Sequence, residues 1–175
     1  MTKISKTILI SVILATVILT VLLTSFFIPA PKDPVAIQDD GIYFFMGKGE
    51  LFRKKGEPYD KHENDLVTPQ KDYYYHESIY GYDADVSYTF VRNDLISVSV
   101  GFGDISQEDA KDLSEKIIAA QKEKYESKST YYDNGYTETE YGFEYEHGTN
   151  TGAGGISYIF LYQNNSLVIT ADKME

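Results

Sequence analysis

Two groups of carboxylates are the first residues whose spacing could support chemistry. Asp83 and Asp85 stand two residues apart. A later row of glutamates comprises Glu138, Glu140, Glu144 and Glu146. Glycoside hydrolysis requires two carboxyls about 5 to 10 Å apart across a cleft, one of them kept protonated by burial. Residues two apart on a strand share one face, and a solvated face gives no such burial. The acids therefore predict a solubilising surface.

Metal and nucleophile patterns are weaker still. Asp83, Asp85, Asp133 and Asn134 offer oxygens to calcium, but they do not form an EF-hand loop. The three histidines lack the close paired spacing of zinc sites, and the absence of cysteine excludes thiolate ligands and cysteine nucleophiles. No serine lies in a Gly-x-Ser-x-Gly turn. We therefore predict no catalytic residue, no metal and no cofactor, and not an enzyme.

Tyrosine is the remaining residue type that could carry a function. The chain has 16 tyrosines and no tryptophan. Six tyrosines fall in turns or on the less apolar side of strands: Tyr74, Tyr80, Tyr82, Tyr131, Tyr132 and Tyr136. Tyrosine gives a large contact area at low entropic cost, together with a hydroxyl for polar contacts. These six predict a protein-binding face, and the alternative is that they pack across strands or against a helix.

The elements that must position these residues are two similar hairpins and two helices. Residues 86–100 and 156–171 each alternate apolar and polar residues around a short turn. A strong helix begins after Ser106, and a short helix over residues 50–55 ends at Gly56. Asn134-Gly135 indicates another hairpin turn. The similarity of the hairpins predicts an α+β fold of two tandem helix-plus-antiparallel-sheet units, about 41–103 and 104–175, forming one domain.

The N-terminal region predicts a membrane anchor. An uncharged apolar segment begins at Thr7 and ends at Ile28, long enough for a transmembrane helix. Lys3 and Lys6 precede it and predict a cytoplasmic N-terminus, with the rest of the chain outside the cytoplasm. We therefore divide the chain into a cytoplasmic stub and anchor (1–28), an extended linker (29–40) and an extracytoplasmic α+β domain (41–175). The alternative is a cleaved signal peptide and a secreted protein.

A short motif adds a resemblance to a known superfamily. Six residues match the pattern Met-Ser-Lys-x-Glu-Val-x-x-x-Leu-Gly-x-Pro: Met46, Lys48, Glu50, Leu51, Gly56 and Pro58. This segment resembles the opening of bacterial envelope proteins related to the β-lactamase inhibitor protein and the small outer-membrane-assembly lipoprotein. Phe45 and Lys55 depart from the pattern, where a glycine and an apolar residue are usual. The resemblance implies tandem helix-and-sheet units that act as inhibitors or assembly scaffolds, and it implies no catalytic residue.

These observations predict a membrane-anchored extracytoplasmic protein-interaction domain of the inhibitor, immunity or envelope-scaffold type. Its expected partners are membrane lipid, through the N-terminal helix, and another envelope or secreted protein. The net charge of −11 disfavours nucleic acid. One alternative is a module that binds a small molecule, a peptide or a cell-wall fragment, with the glycine-rich residues 148–155 as a lid. A cell-wall hydrolase is a third alternative, supported only by the acid pairs.

Overall fold

The computed structural model of the protein describes residues 32–64, 69–150 and 154–174. Within the described residues, the chain from Asp33 onwards forms one compact unit. The described helices are α1 (Lys48–Lys55) and α2 (Gln107–Tyr125). The described strands are β1 (Asp60–Asn64), β2 (Gln70–Ile79), β3 (Tyr82–Val91), β4 (Asp94–Phe102), β5 (Tyr131–Thr139), β6 (Gly142–Asn150), β7 (Gly155–Gln163) and β8 (Ser166–Met174).

All eight strands belong to one antiparallel sheet, in the order β1-β2-β3-β4-β8-β7-β6-β5. Two-residue turns connect β2 to β3, β3 to β4, β5 to β6 and β7 to β8. The two halves meet where β4 pairs with β8, in a ladder that runs from Ser97 opposite Asp172 to Phe102 opposite Leu167. The last described strand therefore lies at the centre of the sheet.

One face of the sheet, here called the covered face, carries the core. Residues opposite each other in antiparallel strands share a face, and one row across the covered face consists of buried residues: Tyr73, Tyr88, Val98, Ala171, Tyr158 and His147. Helix α1 contacts this face through Phe52, whose ring lies 5.1 Å from the ring of Tyr73. Helix α2 contacts it through Tyr125, whose ring lies 6.1 Å from that of Tyr158.

The segment before α1 also belongs to the core. Val35, Ala36 and Ile37 are buried, although the sequence assigns them to an extended linker. Asp40 at the end of this segment lies 2.8 Å from the ammonium of Lys55 on α1, which in turn lies 2.5 Å from the carboxylate of Glu77 on β2. This ionic network links α1 and the segment before it to strand β2.

The predicted fold class, an α+β protein with an N-terminal transmembrane helix and two tandem helix-plus-sheet units, is wrong. The chain is dominated by a single eight-stranded antiparallel sheet with two helices in the described part of the chain. The backbone groups along β4 and β8 pair with each other, so the strands form one continuous sheet. None of the helices in residues 32–64, 69–150 and 154–174 is long and apolar enough to cross a membrane. The segment from Thr7 to Ile28 lies outside the described residues.

Predictions of single hairpins and helix ends are confirmed more often than the prediction of the fold class. The hairpins predicted over residues 86–100 and 156–171 are confirmed as β3–β4 and β7–β8. The Ser106 side chain caps α2 by accepting a hydrogen bond of 3.1 Å from the backbone N–H of Asp109, as the sequence predicts. The turn predicted at Asn134-Gly135 is wrong, because Gly135 sits at a bulge inside β5.

Candidate binding face

The opposite face of the sheet, here called the open face, is the candidate site. None of the helices or loops in the described part of the chain packs across it. Three rows of residues cross it. The first row is Asp60, Tyr74, Ser87, Ser99, Thr170, Ile159 and Glu146. The second is His76, Asp85, Gly101, Val168, Leu161 and Glu144. The third is His62, Asp72, Thr89, Ser97, Asp172, Ser157 and Tyr132, the last reached through Gly148.

The charges on the open face all have one sign, apart from its histidines. Eight acids occupy open-face positions of the strands: Asp60, Asp72, Asp83, Asp85, Asp94, Glu144, Glu146 and Asp172. The described strands contain three lysines and no arginine. Lys61, Lys71 and Lys173 lie opposite Tyr73, Phe90 and Ile156, which places all three on the covered face. The open-face positions of the described strands therefore include acids but no lysine and no arginine.

Aromatic side chains flank the acids on the side of β2. Tyr59, just before β1, stacks on the imidazole of His76 with ring centres 4.0 Å apart and planes 3° apart. The same ring lies 6.4 Å from that of Tyr74. His76 Nδ1 lies 2.6 Å from the carboxylate of Asp85. Tyr59 is 54% exposed, so this cluster offers a broad aromatic surface to a partner.

Apolar side chains flank the acids on the side of β7. Leu161 on β7 pairs with Val168 on β8, and both are exposed. Between them and the aromatic cluster lie residues with small side chains: Ser87, Ser97, Ser99, Gly101 and Thr170. The middle of the face is therefore low, and larger side chains rise on both sides of it.

An open cleft of about 470 Å³ lies at one end of the face. Its lining residues are His76, Glu77, Ser78, Asp83, Ala84, Asp85, Gly101 and Gly103. Within the described residues, however, no three His, Cys, Asp or Glu side chains are arranged to hold a metal ion. The cleft adds a recess lined by Asp83 and Asp85 to the open face.

The six tyrosines predicted from the sequence divide between three environments. Tyr74 and Tyr132 lie on the open face, where the Tyr132 hydroxyl donates a hydrogen bond of 3.2 Å to Glu146. Tyr80 lies in the β2–β3 turn with positive φ and is exposed.

The other three pack against the core from covered-face positions. The ring of Tyr82 lies 6.5 Å from Phe102, the ring of Tyr131 lies 5.9 Å from His147, and the ring of Tyr136 lies 4.7 Å from Tyr145. The structure therefore does not bring the six residues together on one surface.

Most residues of the open face were not predicted from the sequence to form a binding surface. Tyr59, His76, Ile159, Leu161 and Val168 were not singled out. The signal was the alternation itself, because the residues between the apolar positions of each predicted hairpin must point away from the core. Comparison of the chain with protein-family models, curated proteins and solved structures gives no match.

Proposed function

We propose that this protein is a protein-interaction module whose open face binds a basic surface of another protein. The observation that carries the proposal is the acidic open face. All three lysines of the described strands lie on the covered face, and these strands contain no arginine. Charge complementarity of this kind favours a partner with lysines and arginines and repels acidic proteins and nucleic acids. An inhibitor, an immunity protein and an envelope scaffold would all act by such binding.

The dimensions of the open face favour a protein partner. Eight strands spaced about 4.8 Å apart span about 34 Å, and a standard protein interface covers about 800 Å² on each partner. The exposed side chains of Tyr59 and Leu161 lie on opposite sides of the low middle of the face. Tyrosine is enriched among the residues that contribute most to protein interfaces. In this proposal the acids orient the partner and raise its rate of association. Tyr59 and Leu161, here called the anchors, supply buried contact area.

The proposal is tested by placing a positive charge in the middle of the open face. Ser99→Arg introduces a guanidinium among the acids, and Ser127→Arg introduces the same group at an exposed position after α2 as a control. Binding of an oligolysine peptide to the full chain is measured by calorimetry at several salt concentrations, with oligoglutamate of equal length as the negative probe. We expect Ser99→Arg to weaken oligolysine binding by at least about tenfold and Ser127→Arg to leave it unchanged.

A second arm tests the anchors with a natural partner. Proteins captured from the source cell's extract are purified and titrated against the wild type, Leu161→Ala and Ser127→Arg. The expected partner is basic, and its affinity falls at least about tenfold with Leu161→Ala. Equal weakening by Ser99→Arg and Ser127→Arg, or a purified partner that is indifferent to Leu161→Ala, would overturn the proposal.

A further inference from the structure

Five buried polar atoms lie beneath α2 without a hydrogen-bond partner, the only such side-chain atoms within the described residues. They are Gln121 Nε2, the hydroxyls of Tyr131, Tyr136 and Tyr145, and His147 Nδ1. The Tyr145 hydroxyl lies beside the Asp133 carboxylate and the Tyr131 hydroxyl, without the geometry of a hydrogen bond to either. Buried polar groups in proteins are almost always paired with protein or water. Five unpaired atoms in one region therefore indicate a polar site that accepts further hydrogen-bonding groups.

The five side chains form one continuous group. His147 Nε2 lies 2.7 Å from Gln121 Oε1, which joins strand β6 to helix α2. The ring of His147 lies 5.9 Å from that of Tyr131 and 5.6 Å from that of Tyr145. The ring of Tyr145 lies 4.7 Å from that of Tyr136. The group thus runs from the buried middle of α2 to the half-buried Tyr136 at the edge of the sheet.

A cavity of about 240 Å³ opens at the Tyr136 end of this group. Its walls are Glu115, Ile118, Ala119 and Lys122 from α2, with Tyr136 and Tyr145 from the strands. At about 30 Å³ for each water-sized group, the cavity holds about eight such groups, the size of a free amino acid. The cavity therefore suits a small molecule.

The charges at the cavity have opposite signs. Glu115 and Lys122 are seven residues apart on one side of α2, about 10 Å along the helix axis at about 1.5 Å per residue. Ile118 and Ala119 lie between them and offer apolar contact. A simple anion would meet Glu115, and a simple cation would meet Lys122. A molecule with one charge of each sign satisfies both residues.

The ion pair of Lys122 is compatible with a bound carboxylate. Lys122 Nζ lies 2.6 Å from Asp133 Oδ2, and both side chains are about one-third exposed. An ammonium group has three N–H donors, and this ion pair uses one of them. Asp133 therefore holds Lys122 at the edge of the cavity and leaves donors for a second acceptor.

We propose that the cavity between α2 and strands β5 and β6 binds a small zwitterion of the size of a free amino acid. Its carboxylate is held by Lys122 and its ammonium by Glu115, while its apolar part lies over Ile118 and Ala119. The hydroxyl oxygens of Tyr136 and Tyr145 are closed to solvent. The ligand therefore reaches them only when the half-buried ring of Tyr136 turns. The turned ring brings these two unpaired hydroxyls to the ligand.

The first test uses free amino acids with the full chain. The standard L-amino acids, from glycine to phenylalanine, are titrated by calorimetry, and near-ultraviolet circular dichroism follows the tyrosine rings. We expect an apolar amino acid such as L-leucine to bind and to change the tyrosine signal. N-acetyl-leucine lacks the ammonium and leucinamide lacks the carboxylate, so each should bind at least about tenfold more weakly. The proposal is overturned if no amino acid binds, or if both single-charge analogues bind as well as leucine.

The second test assigns the site. Lys122→Met and Glu115→Gln should each weaken leucine binding by at least about tenfold. Lys116→Met and Glu123→Gln are matched controls, because both residues are exposed on α2 and do not line the cavity. Glu115 is exposed, so Glu115→Gln keeps the test decisive if Lys122→Met lowers stability. Equal weakening of leucine binding by the two variants and by their controls would overturn the assignment. Oligolysine binding to the open face should be unchanged in all four proteins.

Discussion

His147 makes the stability of the fold depend on acid pH. Its side chain is fully buried, and its ring stacks on Tyr158 with centres 5.0 Å apart. Burial lowers the pKa of His147 from its ordinary value of 6.5 to about 4. Two charged groups face it from neighbouring elements: Asp133 on β5 raises this pKa and Lys122 on α2 lowers it, both by less than burial does. The folded protein therefore holds His147 neutral.

The sign and size of the effect follow from this difference in pKa. Below pH 6.5 the unfolded chain binds a proton at His147 while the folded chain does not, so stability is lost as the pH falls towards 4. A difference of about 2.5 between the two pKa values corresponds to about 3 kcal/mol, at about 1.4 kcal/mol for each pH unit. This contribution is fully present above pH 6.5.

The measurement is the free energy of unfolding in urea at pH 7, 5.5 and 4. The His147→Phe variant removes the titrating group and keeps a ring in the stack. It should be less stable at pH 7, since Gln121 loses its partner, but it should lose about 3 kcal/mol less than the wild type between pH 7 and pH 4. His62→Phe, at an exposed position of β1, is the control and should retain the wild-type acid dependence. An unchanged acid dependence in His147→Phe would refute the reasoning.

Three further predictions concern the rest of the fold. Three side chains donate hydrogen bonds to the Glu77 carboxylate: Gln38, Lys55 and Tyr88. Glu77→Ala leaves a largely buried ammonium without one of its two acids and should lower the free energy of unfolding in urea by about 3 kcal/mol. Glu63→Ala, in an exposed ion pair, should leave the free energy of unfolding nearly unchanged. Ser106→Ala removes the cap of α2 and should lower the free energy of unfolding by about 1 kcal/mol, and an unchanged midpoint of thermal unfolding would contradict this. Burial raises the pKa of four tyrosines to about 12: Tyr75, Tyr125, Tyr131 and Tyr136. The unfolded chain ionises its tyrosines near pH 10, so stability should fall from pH 10 to pH 12 and tyrosinate absorbance should rise in two steps; a single step near pH 10 would contradict this.

The parts of the structure that were predictable depend on neighbours in sequence. The β3–β4 and β7–β8 hairpins follow from alternating side chains and short turns, and the start of α2 follows from the Ser106 cap. The pairing of β4 with β8 joins residues far apart in the chain, such as Val98 and Ala171. A period-two pattern predicts which side of a strand is buried but not which strand lies beside it. For this reason two tandem helix-plus-sheet units within one domain were expected where one continuous sheet forms.

The tyrosines show a second limit of the sequence. Tyr131 and Tyr136 have opposite parity, yet both face the core, because the bulge between Asp133 and Gly135 shifts the alternation by one residue. Asn-Gly indicates a tight turn, but the positive φ of Gly135 serves the bulge instead. Tyr82 was predictable, since it shares its parity with the buried Val86 on the same strand.

The position of β8 has a consequence for synthesis of the chain. A nascent chain that has reached residue 165 contains the other seven described strands but lacks the one that lies between β4 and β7. Until then the inner borders of both half-sheets carry unpaired backbone amides and carbonyls, so the sheet can close only after β8 has left the ribosome. Termination of translation just before Ser166 would thus remove a strand from the middle of the sheet rather than from its margin.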